Sequence, residues 1–181
     1  GVSGGSTGAG VSAAIGAGVT AAGGAATANY ATNTGASVGL AASSGSTSTG
    51  GIWNWGNSTT TTDRSLGFMT SSGYASPNGI LFGFTNNTGS TLGSISLSFD
   101  YERYRINTAA ASVSFFTSTN GTTWTANTAG DSGAFTTGAS SFTFTGGTTV
   151  NKNLTISGIN LAVGSSYYLL WNFNTTGSNS Q

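Results

Sequence analysis

Between residues 95 and 99 the chain reads Ile95-Ser96-Leu97-Ser98-Phe99, apolar and hydroxyl residues in strict alternation. A repeat of two separates the side chains onto the two faces of an extended strand. The segment therefore predicts a strand that buries Ile95, Leu97 and Phe99 and shows its serines to water. No segment has the Ala/Leu/Glu/Lys make-up of a surface helix, because only four acidic and four basic residues occur among 181. Extended structure is what such a chain is left with.

Other segments agree. Gly79-Ile80-Leu81-Phe82-Gly83-Phe84 is a continuous apolar run, which fits a strand covered on both faces. Asn86-Asn87-Thr88-Gly89 reads as a turn, so this run is expected to pair with 95–99 as a hairpin. Ser112-Val113-Ser114-Phe115-Phe116 leads to Asn120-Gly121, a strong hairpin cue because both residues tolerate positive φ. Further strands are expected at 141–145, 153–156, 158–163 and 167–173. About eight or nine strands, with Gly and Asn between them, predict an all-β fold, a β-sandwich of jelly-roll type.

The sparse charge also excludes functions. Four basic residues cannot neutralise a phosphate backbone, so no nucleic-acid partner is expected. The chain has no His and no Cys. It therefore lacks an imidazole base, a thiol nucleophile, the usual zinc ligands and disulfides, and neither a cofactor nor a metal is expected. Zero net charge with 11% aromatics points to a folded body with a neutral surface of Thr, Ser, Asn and Gly. Such a surface repels its own copies little, which suits a secreted protein that assembles or adheres.

Composition changes near residue 51. Residues 1–51 hold 14 of the 30 glycines, one aromatic (Tyr30) and no charge. We read 1–51 as a Gly/Ala-rich N-terminal extension and 52–181 as the sandwich body. Residues 8–28 are too weakly apolar to predict a membrane span, and no basic flank marks a signal peptide, so the chain reads as a mature form. Val11, Ala13, Ile15, Ala17 and Val19 fall on alternate positions. Three readings stay open for this stretch: a flexible linker, a helix, or a strand near 9–21 that enters the sheet of another copy, with those five residues as its contacts.

Half of all charges fall in Asp100-Tyr101-Glu102-Arg103-Tyr104-Arg105. Alternation places Asp100, Glu102 and Tyr104 on one face and Tyr101, Arg103 and Arg105 on the other. Two carboxylates so spaced approach the separation glycosidases use, but any D-x-E strand does the same and no third group supports it. A structural polar cluster, joined by Asp63 and Arg64, is the better reading; a calcium site using Asp63, Asp100 or Asp131 is a lesser one. Trp53 and Trp55 share a face. Exposed, they would stack a glycan; buried, they are core, as Trp124 and Trp171 are expected to be. The Thr-rich run 59–62 lacks the strict period of an ice-binding array.

The segments Gly50-Gly51-Ile52-Trp53-Asn54-Trp55-Gly56, TDRSLG (62–67) and FTNNTGSTLGSISLSFDYERYR (84–105) carry a resemblance. Over about residues 50–181 the chain resembles bacterial surface and secreted β-sandwich modules of Bacteroidetes and planctomycete type. The resemblance implies that Asp63, Arg64, Glu102, Tyr104 and Arg105 are signature polar positions with a structural role. Related modules continue past a place like Ser178-Asn179-Ser180 with a G-L-x-I-D-x closing strand. One strand wanting there and one to spare near the start suggest exchange between copies. The expectation is thus a non-enzymatic extracellular or cell-surface protein, structural or adhesive, self-associating as a homopolymer fibre by strand donation. The alternative is a carbohydrate-binding module that stacks glycans on Trp53 and Trp55.

Overall fold

The structure, a computed structural model, describes residues 18–23, 29–30, 41–43, 50–56, 65–71, 77–139, 141–142 and 148–176. The described strands are β1 (Asn29–Tyr30), β2 (Ala41–Ser43), β3 (Gly51–Trp55), β4 (Ser65–Met69), β5 (Asn78–Thr85), β6 (Leu92–Arg103), β7 (Arg105–Ile106), β8 (Ala111–Ser118), β9 (Thr125–Ala126), β10 (Gly133–Ala134), β11 (Ser141–Phe142), β12 (Thr148–Leu161) and β13 (Ser166–Thr175). The protein is all-β. Its described helical pieces are one turn at 18–21 and a 3-10 turn, Thr128–Gly130. No helix among the described residues is long and apolar enough to cross a membrane.

The large sheet runs β1-β5-β13-β8-β10, with β9 also on β8. Its central strand β13 buries side chains towards both faces, including Tyr167, Leu169 and Leu170, as a strand covered on both sides must. On one face lies a separate two-stranded ribbon, β6 paired with β12. Phe115, Tyr167 and Leu169 of the sheet form one core with Ile156 and Leu161 of the ribbon, and Ile95, Leu97 and Phe99 pack against it. The alternation read at 95–99 is found as expected, with Ser94, Ser96 and Ser98 exposed. On the opposite face Phe116 and Leu170 meet Trp124 and Val19. Val19 comes from before the composition change and is fully buried; Gly18 beside it packs so tightly on the Thr122 carbonyl and the Trp124 ring that a β-carbon would collide.

Two expectations are corrected. β5 and β6 do not form a hairpin: β5 pairs with β13 and β1, and β6 pairs with β12. The turn at 86–89 is real, but it carries the chain from one sheet to the other. Asn86 is the reason. Its buried Nδ2 donates to the carbonyls of Ser90 and Leu161, both at 2.8 Å, while its Oδ1 accepts from Thr88 N (3.0 Å) and Thr88 Oγ1 (2.8 Å). Its main chain bonds Gly164 and Ser165, so the exit from β5 is tied to the turn that joins β12 to β13. Nor is the apolar run in β5 covered on both faces, since Phe82 is 52% exposed. It lies beside Phe84, whose ring centroid is 6.1 Å away.

The strands read separately at 153–156 and 158–163 are one, β12. Its register against β6 shifts between Ser157 and Leu161, where Gly158 (φ 73) and Asn160 (φ 45) turn the backbone left-handed. The Asn120-Gly121 cue does mark a hairpin: β8 pairs with β9 across it, with Phe116 opposite Ala126. Asn120 Oδ1 holds that loop by accepting the main-chain N–H groups of Thr122 and Thr123.

Candidate functional site

The small sheet β2-β3-β4 meets the end of the ribbon through the residues whose alternation drew attention in the sequence. Trp53 and Trp55 share a face of β3, their ring centroids 5.8 Å apart. Trp55 continues into a stack with Tyr104, 6.1 Å away at 21°. It is 2% exposed and belongs to the core, so it offers no face to a ligand in solution, whereas Trp53 is half-buried. Gly67 on the neighbouring strand makes the arrangement possible. A β-carbon there would stand 2.8 Å from the Trp55 indole.

At the Tyr104 end the hydroxyls of Ser65 and Tyr104 converge on one carboxylate oxygen. Ser65 Oγ donates to Glu102 Oε2, and Tyr104 OH donates to the same oxygen at 2.7 Å. Asp100 shares the exposed face with Glu102 but takes a separate partner, Asn151 Nδ2, at 2.7 Å. The two carboxylates are thus occupied by different neutral donors. Asp131 Oδ1 accepts the Phe115 N–H at 2.7 Å, a structural task in the core wall.

The other face of the same stretch holds Arg103, 1% exposed. Its guanidinium donates to main-chain carbonyls of Arg105 (2.9 Å), Thr136 and Ala109 (3.3 Å). Burial lowers its pKa, the mark of a charge held away from water. Next to it Tyr101 donates to the Gly130 carbonyl at 2.6 Å. Burial, followed by the nearby Asp131 charge, raises the Tyr101 phenol well above its ordinary value. Arg103 works as a pin that draws β7 and the segments around Ala109 and Thr136 together. Arg105 is half-buried; Asp63 and Arg64 lie outside the described residues, as do Val11, Ala13, Ile15 and Ala17. Val19, the one strand-contact candidate described, sits in a helical turn and inside this chain's own core.

Beneath the aromatic row is a cavity of about 80 Å³. Its inner walls are the buried Trp55, Phe68, Val113 and Phe135 with Phe173, and Phe68 meets Phe173 edge-on at 5.0 Å. Its rim carries exposed Leu66 and Glu102 with half-buried Ser65 and Tyr104. Asn78, at the start of β5, also lines it. Asn78 is 1% exposed, and neither Nδ2 nor Oδ1 has a hydrogen-bond partner among the described residues.

Sequence reasoning missed Asn78, Ser65 and the cavity. One signal for Asn78 was there: it is in phase with Ile80 and Phe82, a polar residue on the apolar side of its strand. Nothing local marked Ser65, whose partners come from 37 and 39 residues away. No protein-family model matches the chain, and neither a curated protein nor a solved structure shows significant similarity to it.

Proposed function

We propose that the chain is a non-enzymatic structural or adhesive module of the cell surface or extracellular space, a jelly-roll β-sandwich whose copies associate by pairing strands. One observation carries the reading: among the described strands β6 pairs with β12 alone, so its outer edge is open along Leu92–Arg103. An edge of that length is a template for another strand unless something blunts it. β12 has such devices, an irregular register near its end and the chain's one lysine, Lys152, turned to the inner face opposite Phe99. The β6 edge has none from Leu92 to Phe99. The outer face of the ribbon adds to this, since Ser96 opposite Thr155 and Ser98 opposite Asn153 present neutral hydroxyls and amides that repel no approaching copy. The exported modules that the sequence resembles suit the same setting.

The partner strand in this reading is 9–17, with Val11, Ala13, Ile15 and Ala17 as the contacts; Val19 serves the fold instead. The test is light scattering and electron microscopy over a range of concentrations. The full chain is expected to form multimers, while removal of residues 1–17, or the pair Ser96→Lys and Ser98→Lys, leaves monomers. A full chain that stays monomeric at every concentration refutes the proposal.

A second reading has its own observation. The aromatic row that begins at half-buried Trp53 ends over a cavity with a polar rim, an arrangement suited to holding a sugar. Loss of polysaccharide binding in Trp53→Ala would support it.

A further inference from the structure

The carboxamide of Asn78 is the least explained group in the protein. Asn78 stands opposite Phe173 in the β5–β13 ladder, so its side chain shares the face of that ring and of the cavity. A carboxamide carries two N–H donors and an acceptor oxygen, and here all are withdrawn from solvent with no partner among the described residues. Leaving them so is costly, and a leucine of similar size would pack against Phe68, Val113 and Phe173 without that cost. The cavity therefore keeps a donor and an acceptor side by side next to the apolar walls of Phe68, Val113, Phe135 and Phe173, with Thr70, Ser112, Asn174 and Thr175 also lining it.

We infer that the cavity is a binding site for the acetamido group of an N-acetylated sugar. This deepens the second reading above and is independent of strand pairing. An acetamido group has a methyl that needs apolar walls, and an N–H and a carbonyl that pair with Asn78 Oδ1 and Nδ2. It is uncharged, so it meets no repulsion from the Asp100 and Glu102 carboxylates that also line the cavity. The cavity, at about 80 Å³, has room for about five waters, hence for the four heavy atoms of that group but not for a sugar ring. The ring stays at the rim, where the hydroxyls of Ser65 and Tyr104 and the carboxylate of Glu102 suit sugar hydroxyls and Trp53 supplies an apolar face nearby.

The experiment is calorimetric titration of the full chain with a trimer of N-acetylglucosamine and with the matching glucose trimer. The N-acetylated trimer is expected to bind at least about tenfold more tightly, since a site built to pair an amide rejects the analogue lacking it. Asn78→Leu is expected to abolish that preference while melting no lower than the parent, because the orphaned polar group is gone. Equal binding of the two trimers, or a preference that survives Asn78→Leu, overturns the inference. The comparison of trimers needs no variant, so it decides even where Asn78→Leu fails to fold. If both bind equally and Trp53→Ala abolishes both, glycan binding stands and only the acetamido site falls. If neither binds, both fall.

Discussion

Replacing Arg103 by methionine tests whether the guanidinium pins the loops around the ribbon's end. Methionine keeps most of the stem's packing and removes the donors that reach the carbonyls of Arg105, Thr136 and Ala109. Each of these part-buried hydrogen bonds to a charged donor is worth on the order of 1 kcal/mol. Three of them come to about 3 kcal/mol. Part of this is returned, since Arg103 is 1% exposed and a buried charge is itself expensive. The net loss is expected to be about 2–3 kcal/mol. For a domain of this size each kcal/mol moves the melting temperature by about 2–4 °C, so a drop of about 5–10 °C follows. Thermal melts by circular dichroism, with urea titrations at one temperature, measure it. Arg103→Lys keeps the charge without the fork of donors and should fall between parent and methionine variant. A methionine variant within about 1 kcal/mol of the parent would refute the pin, and would mean that these segments hold their places through the apolar core alone.

Tyr101 gives a pH dependence of definite sign. Its folded pKa is raised, so the group's contribution is fully present below the ordinary tyrosine value near 10 and is lost as pH rises above it. Between about pH 10 and the folded pKa, the slope from this group is up to about 1.4 kcal/mol per pH unit. Tyr101→Phe should flatten the alkaline limb of the stability curve relative to the parent, and parallel curves would count against the assignment. Asn86→Ala removes four hydrogen bonds at the crossing between the sheets. Equilibrium unfolding should show a loss of about 2–4 kcal/mol; a change under about 1 kcal/mol would mean that the crossing is held elsewhere.

Much of the local structure was legible in the residue order. The period of two from Ile95 to Phe99 located β6 and its inner face, and alternation across 100–105 correctly separated exposed Asp100 and Glu102 from buried Tyr101 and Arg103. Trp124 proved to be core on one face of the large sheet and Trp171 packs against the core on the other, while Trp55, one half of the proposed sugar platform, is buried as well. Less legible was what each inward group meets. Arg103 reads as a member of an ion-pair cluster when only nearby charges are visible. Main-chain carbonyls are among its partners, and every residue supplies one, so no residue type announces them.

By its sequence alone this chain was bound to be extended, neutral-surfaced and free of imidazole and thiol chemistry, because parity along a strand and the inventory of side chains are properties of neighbours and of counts. Which strand lies beside which was decided by the tertiary structure. Asn86 ties the exit of β5 to the β12–β13 turn, Val19 returns from the glycine-rich start to cap the large sheet, and Asn78 comes to face a cavity lined by five other strands. Backbone pairing is chemically the same at every residue. Its choice of partner therefore rests on how whole faces pack, which no short stretch of sequence contains.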